Sequence, residues 1–227
     1  VVLLILATAA TYLLFRRDST TPALTNKDTI LLTDWVNQTG EEVFDGALKQ
    51  GLSVQLQQSP FLNISPETRI QQTLRLMQRP ADTRVTRAIG REIAERQGLK
   101  ALIVGSITKL DRHYSITLEA VNSQTDETIA ATQAEADSKD QVLKALSQTA
   151  TDLRAKLGES LQSIQKFDAP LELTTSSLDA LKAFSRGREV AATGRYGEAI
   201  PFYKRATELD PNFASAFWIT GWMYSNI

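Results

Sequence analysis

The sequence predicts an α+β fold: a mixed sheet with an antiparallel meander and covering helices, preceded by a membrane helix and followed by an α-helical hairpin. Before residue 100, short aliphatic segments alternate with segments of helical periodicity. Between residues 101 and 136, apolar and polar residues alternate over three strand lengths separated by turn residues. After residue 176 the spacing is helical only. Strands and helices segregated in this way are typical of an α+β domain with a helical addition.

Composition excludes several classes of protein. The 227 residues are 42% hydrophobic, enough for a folded core. Lys and Arg number 25 against 26 Asp and Glu, so no basic excess favours nucleic-acid binding. The sequence has no cysteine and a single histidine, His113, which disfavours thiolate or histidine metal sites and catalytic triads. We therefore expect no catalytic residue, no cofactor and no metal ion.

An uncharged segment opens the chain. Residues 1–15 carry no charge, and Arg16 and Arg17 follow directly. A bilayer crossing needs about 20 apolar residues, so this segment is slightly short for a complete one. We therefore predict residues 1–17 to be a membrane-spanning helix that is truncated at its start. The alternative is the core of a signal peptide. Residues 18–28 are polar and contain a proline, which predicts a tether.

The predicted α+β domain spans residues 29–161. It opens with a buried strand at 29–36 and a helix at 43–58, whose apolar residues recur every four positions. These apolar residues are Phe44, Leu48, Leu52 and Leu56. The next predicted elements are a short strand at 61–64 and amphipathic helices at 66–78 and 85–97.

The meander is the most regular part of this domain. Strands are predicted at 101–110, 113–121 and 128–136, with a tight turn at Asp111 and Arg112. Along the second strand, apolar side chains fall on one face and polar ones on the other, as in a half-buried antiparallel strand. The apolar set is Tyr114, Ile116, Leu118 and Ala120.

A long helix is predicted from Ser138 to Leu161. The spacing of its apolar residues alternates between three and four. That spacing fits either a helix covering the sheet or a coiled-coil seam through which residues 139–161 would self-associate. The apolar set is Leu143, Leu146, Ala150, Leu153 and Leu157. Residues 162–175, with Pro170 near the centre, are predicted to be a linker.

Residues 176–227 fit a repeat of about 34 residues in which small residues lie where two helices cross. The positions that match are Gly187, Ala199, Tyr203, Ala206 and Pro211, and one period later Gly221 and Tyr224. The pattern resembles the tetratricopeptide (TPR) repeat and predicts one complete and one partial copy. The last helix leaves apolar residues uncovered, so we expect further repeats to follow in a longer protein.

Tetratricopeptide repeats bind partner segments on the face formed by their first helices. The resemblance therefore implies a protein or peptide partner. By position, Phe184, Ser185 and Arg188 would line that groove. The alternative is that these three are ordinary surface residues of an entry repeat.

The domain before the repeat combines a strand, an "N-x-T-G" turn and a helix with a glycine before the strand "ALIVGS" and a hairpin ending in "QTDET". The residues concerned are Asn37, Thr39, Gly40, Phe44, Gly98, Gly105, Val121 and Thr125. These features resemble the region after the membrane helix in bacterial transmembrane serine/threonine kinases and, more distantly, the TolB amino-terminal-like domain. The chain has no glycine-rich loop, "HRD" or "DFG" motif, so kinase activity would belong to sequence before Val1.

These patterns predict a non-catalytic, membrane-anchored sensing and protein-interaction region of a bacterial signalling protein. The alternatives are the regulatory part of a serine/threonine kinase whose catalytic domain lies upstream, and a stand-alone envelope assembly adaptor. The kinase resemblance places the soluble part outside the cytoplasm, in the periplasm. Arg16 and Arg17 favour the cytoplasmic side instead.

The loop "VNQTGEEVFDG" links a strand to a helix, which is where phosphate-binding loops occur. Glu41 and Glu42 lie where the anion would bind and would repel it. These two residues, together with Asp34 and Asp45, could bind a cation. The alternative is that the four carboxylates are solvated and lie near a helix N-terminus.

Overall fold

The computed structural model describes Leu24 and residues 28–169 and 175–225. Within these ranges, no helix has the length and apolar character needed to cross a membrane. The membrane helix predicted at 1–17, most of the predicted tether and Pro170 lie outside the described residues, so those predictions stay untested.

The described residues form a mixed sheet with covering helices, as predicted. The strands are β1 (Asp28–Leu32), β2 (Val36–Gln38), β3 (Leu62–Ile64), β4 (Ala101–Leu110), β5 (His113–Asn122) and β6 (Thr128–Ala136). The helices are α1 (Ala47–Gln57), α2 (Glu67–Leu76), α3 (Arg87–Gln97), α4 (Val142–Lys156), α5 (Leu161–Phe167), α6 (Leu178–Ala192), α7 (Tyr196–Leu209) and α8 (Ala214–Ser225). Short 3-10 turns at Glu42–Phe44 and Lys139–Gln141 precede α1 and α4.

The sheet has the strand order β3-β1-β4-β5-β6, and β2 pairs with β4 further along that strand than β1 does. β1 is parallel to both β3 and β4, whereas β4, β5 and β6 form the predicted antiparallel meander. The connection from β1 to β3 contains α1, and the connection from β3 to β4 contains α2 and α3. Parallel neighbours need such crossovers, which explains why the two halves of the sheet differ.

Helices cover both faces of the sheet. Leu31, Leu102 and Val121 pack with α2 and α3 on one face. Leu32 and Ile103 belong to the larger core on the other face, where α1 and α4 lie. Because successive side chains of a strand point to opposite faces, the continuous aliphatic runs of β1 and β4 supply both cores.

The single long helix predicted at 138–161 is wrong, because α4 ends at Lys156. Gly158 adopts φ +106°, a conformation that L side chains rarely adopt, and the chain turns there before α5 begins. The coiled-coil alternative is also wrong: the seam residues are buried within the chain and serve the sheet-covering role. The predicted linker is helical as far as Phe167, since Ser160 caps α5 and Ile164 is buried.

A buried arginine holds the turn between α4 and α5. The side chain of Arg154 is 0% exposed and lies 2.9 Å from a carboxylate oxygen of Glu159 and 2.8 Å from one of Asp168. Ser59 and Ser163 donate further hydrogen bonds to Glu159. This network therefore satisfies a charge that would be costly to bury alone.

The helical hairpin of α6 and α7 packs against the α+β part through contacts between α6 and α1. Leu181 and Val190 of α6 belong to the same continuous core as Leu48 and Leu52 of α1. The α+β part and the helical hairpin therefore share one hydrophobic core.

Candidate functional site

The interior of the α6–α7 hairpin is built around a glycine. A Cβ placed on Gly187 would lie 2.7 Å from Cε1 of Tyr203, closer than real Cβ contacts. Tyr203 is 1% exposed, and its ring meets that of Phe184 edge-on with 5.3 Å between centroids. Burial raises the pKa of Tyr203 to about 12, so a neutral phenol fills the gap between the helices. The structure thus brings together the glycine and the aromatic residue that the repeat pattern selected.

The other positions selected by the predicted repeat lie in α7, in the turn that follows it and in α8. Ala199 and Ala206 are fully buried, and Pro211 lies in the exposed turn before α8. α8 packs on α7, and Ala216 and Met223 are its buried residues. The small side chains of Ala199 and Ala206 leave room for the close helix–helix approach that the spacing predicts.

The three predicted groove residues lie in different environments. Phe184 is buried, with its ring also 4.9 Å from that of Phe213. Ser185 is buried against the start of α1, where a Cβ on Gly46 would lie 2.8 Å from its Oγ. Arg188 is exposed. The α+β part therefore covers Ser185, the helical segment itself buries Phe184, and only Arg188 remains accessible to a partner.

α8 presents an aromatic surface, which we call the α8 aromatic face and define as Phe217, Trp218, Gly221, Trp222 and Tyr224. The exposed fractions of its four aromatic side chains are 51%, 69%, 43% and 59% in chain order. Among the described residues, no atom outside the backbone of α8 lies within 4 Å of a Cβ built on Gly221. Large exposed apolar patches mark interaction surfaces in soluble domains, so this face is the candidate protein interface.

In the loop before α1, the carboxylate of Glu41 binds side chains of the same chain, and the loop is not arranged to bind a phosphate. The carboxylate of Glu41 accepts hydrogen bonds of 2.7 Å from both Lys109 and Tyr114, and Lys139 lies 3.1 Å away. The hydrogen bonds from Lys109 and Tyr114 lower the pKa of Glu41 to about 2, so it stays negatively charged. That charge would repel an anion, as expected from the sequence.

The carboxylates that cluster in the sequence take separate partners. Asp34 lies 2.6 Å from Nζ of Lys49, whereas Asp45 accepts a hydrogen bond from Asn37. No group of three or more potential metal ligands occurs among the residues that the structure describes. His113 lies 3.3 Å from Asp137 at an exposed strand end.

Sequence reasoning missed a cleft of about 540 Å³ between the α+β part and α6. We call it the α1–α6 cleft; its walls come from α1, the start of α2, residues 81–85 and α6. Lys49 lies in it, and although burial opposes its charge, Glu67 and Asp34 raise the pKa of its ammonium. The lining comes from distant segments with no shared motif, so no pattern in the sequence points to it.

Comparison with known proteins gives weak likenesses. No protein-family model matches the sequence, and no curated protein matches it. The chain is similar to the LpoB C-terminal domain from Salmonella enterica, with 13% identity and TM-score 0.46 over 55% of this chain and 90% of that chain. It is also similar to lipoprotein GNA1162 from Neisseria meningitidis, with 14% identity and TM-score 0.41 over 56% of this chain and 96% of that chain. The similarity to TolB from Acinetobacter baumannii has 11% identity and TM-score 0.41 over 60% of this chain and 29% of that chain. Likenesses of this size carry no conclusion about function.

Proposed function

We propose that the chain is a non-catalytic protein-interaction module, in which the α+β part supports the start of a tetratricopeptide array and the α8 aromatic face receives an amphipathic helix. One contrast supports this proposal. A Cβ built on Gly187 would contact the ring of Tyr203. A Cβ built on Gly221, one repeat period later, has no atom within 4 Å among the described residues outside its own helix backbone.

The chemistry of α8 specifies what would cover it. α8 contains no charged residue, and its aromatic residues are exposed around a glycine. A glycine on a helix surface lets another backbone approach closely, and a ring from the incoming helix can then fill the space, as Tyr203 does at Gly187. The occupant is therefore an α-helix with an apolar face and a tyrosine or phenylalanine at the position equivalent to Tyr203.

Among the alternatives set by the sequence, we put forward an envelope assembly adaptor, anchored by residues 1–17 with its soluble part outside the cytoplasm. The feature that supports an interaction role is an exposed apolar surface, the α8 aromatic face. A protein that only brings partners together needs no catalytic residues. The kinase alternative depends on sequence before Val1 and remains a prediction.

The proposal can be tested with a copy of α7. A fluorescently labelled peptide of residues 196–210 is titrated against the full 227-residue chain, kept in mild detergent because residues 1–15 are apolar. Binding is measured by anisotropy of the label and by tryptophan emission. The peptide lacks tryptophan and Trp35 is buried, so a blue shift reports on Trp218 and Trp222.

Two glycine variants give a matched comparison. Gly197 and Gly221 both lie in helices, and in the described ranges no atom outside their own helix backbone lies within 4 Å of an added Cβ at either position. Gly221→Ala should weaken peptide binding at least about fivefold, because it obstructs close approach, whereas Gly197→Ala should leave it unchanged. A peptide with Tyr203→Ala should bind more weakly. No binding, or equal binding to both glycine variants, would contradict the proposal.

A further inference from the structure

The α1–α6 cleft has the size and composition of a ligand site. Its volume of about 540 Å³ lies within the range of about 300–1,000 Å³ typical of small-molecule pockets. Its walls combine apolar side chains such as Trp35 and Ile70 with polar and charged ones. It lies where two parts of the fold meet, a common position for binding sites.

A buried amide in the wall of this cleft lacks a partner. Gln71 of α2 is 4% exposed and lines the cleft. Its Oε1 is the one buried side-chain nitrogen or oxygen atom in the described ranges without a hydrogen bond. Roughly 90% or more of buried polar groups in proteins are paired, because an unpaired one retains its desolvation cost. This carbonyl therefore calls for a donor from outside the chain.

Most charged groups of the cleft are already engaged. Lys49 is paired with Asp34 and Glu67, and Arg186 with Glu189. The lining holds five acidic and five basic residues, so its net charge is zero and it favours a ligand that is neutral overall.

Two lining residues of opposite charge are not engaged. The side chains of Arg188 and Asp82 make no hydrogen bond or ion pair with any residue in the described part of the chain. A guanidinium group without a partner can bind a carboxylate of a ligand through two parallel hydrogen bonds. A carboxylate in this state matches an ammonium group.

We propose that the α1–α6 cleft binds a small zwitterion, an amino acid or short peptide, whose carboxylate pairs with Arg188 and whose ammonium donates to Gln71 and Asp82. Such a ligand bridges α2 and α6 and so holds the helical hairpin against the α+β part. The proposal goes beyond the interaction role of the α8 aromatic face and does not depend on it.

The first test is a thermal-shift screen of the full chain in mild detergent. The probes are the twenty L-amino acids and alanylalanine, with acetate and ethylamine as controls that each carry one of the two charged groups. At about 100 times its Kd, a bound zwitterion should raise Tm by about 5 °C or more. The two controls should leave Tm unchanged. Absence of a shift with every zwitterion overturns the proposal, and so does an equal shift with a control.

Variants then locate the site by calorimetry with the strongest zwitterion. Gln71→Met, Arg188→Gln and Asp82→Asn should each weaken binding at least about tenfold. Arg186→Gln is the matched control, because Arg186 lines the same cleft but is already paired. Arg188 is exposed, so Arg188→Gln leaves the fold intact and keeps the test valid if Gln71→Met fails to fold. Unchanged affinity in the three variants overturns the proposal.

Two further measurements separate the possible causes of failure. Without ligand, Gln71→Met should keep or raise Tm, because it removes an unpaired acceptor. A lower Tm in this folded variant shows that Gln71 serves structure and overturns the proposal. Gly221→Ala should bind the zwitterion as the parent chain does, so a failure at the α8 aromatic face is distinguishable from a failure here.

Discussion

Replacing Gly187 by alanine tests whether the hairpin depends on close contact between its two helices. The new Cβ would lie 2.7, 2.9 and 3.0 Å from three ring carbons of Tyr203. The ring is rigid, 1% exposed and packed against Phe184, so it cannot move aside without disturbing other side chains.

The two energetic effects oppose each other. Glycine to alanine inside a helix gains about 0.8–1 kcal/mol from helix propensity. Overpacking a filled core costs about 1–3 kcal/mol, and contacts this short place the cost in the upper part of that range. The expected net loss is about 1–2 kcal/mol for Gly187→Ala. A Cβ at Gly221 contacts no neighbouring side chain in the part of the chain that the structure describes, so Gly221→Ala should gain up to about 1 kcal/mol.

Urea unfolding of the full chain in mild detergent, followed by far-ultraviolet circular dichroism, measures this difference. The two variants should differ by about 1–3 kcal/mol in the free energy of unfolding, with opposite signs relative to the parent chain. In a Tyr203→Leu background the ring is absent, so Gly187→Ala should lose most of its penalty.

Two results would refute this reasoning. One is a Gly187→Ala chain at least as stable as the parent, which would mean that the helices do not approach as closely as described. The other is a penalty that persists unchanged in the Tyr203→Leu background, which would assign the cost to something other than the ring.

The remaining predictions concern the α+β part. Arg154→Met leaves the carboxylates of Glu159 and Asp168 without their buried cation, so urea unfolding should show a loss of about 3–5 kcal/mol. Although burial raises the pKa of Glu159, hydrogen bonds from Arg154 and two serines outweigh this and lower it from 4.5 to about 2. Its contribution to stability, up to about 3 kcal/mol, should be complete above pH 4.5 and disappear as the pH falls toward 2, and Glu159→Gln should flatten this pH dependence. Gly105→Ala places a Cβ 2.5 Å from Cε2 of Trp35, so it should cost about 1–3 kcal/mol and change the near-ultraviolet circular dichroism; an unchanged spectrum would contradict this.

Elements with a local pattern could be predicted from the amino-acid sequence alone. The alternation from Tyr114 to Ala120 predicted both β5 and its buried face, and all four apolar residues are buried. The four-residue spacing from Leu48 to Leu56 likewise identified the buried face of α1, whereas Phe44, predicted to belong to the same helix, is buried in the 3-10 turn before it. Repeat spacing selected Gly187 and Tyr203, which meet. These signals are readable because side-chain direction repeats every two residues in a strand and every 3.6 in a helix.

The end of α4, the covered face of α6 and the α1–α6 cleft depend on contacts between segments that are distant in the sequence. Apolar spacing continues to Leu157, but the burial of Arg154 with Glu159 depends on how the chain turns after α4. Ser185 is covered by the segment around Gly46, from a distant part of the chain. Periodicity records which face of an element is apolar and carries no information on which distant element will pack against it. The orphaned amide of Gln71 likewise became visible only once its surroundings were in place.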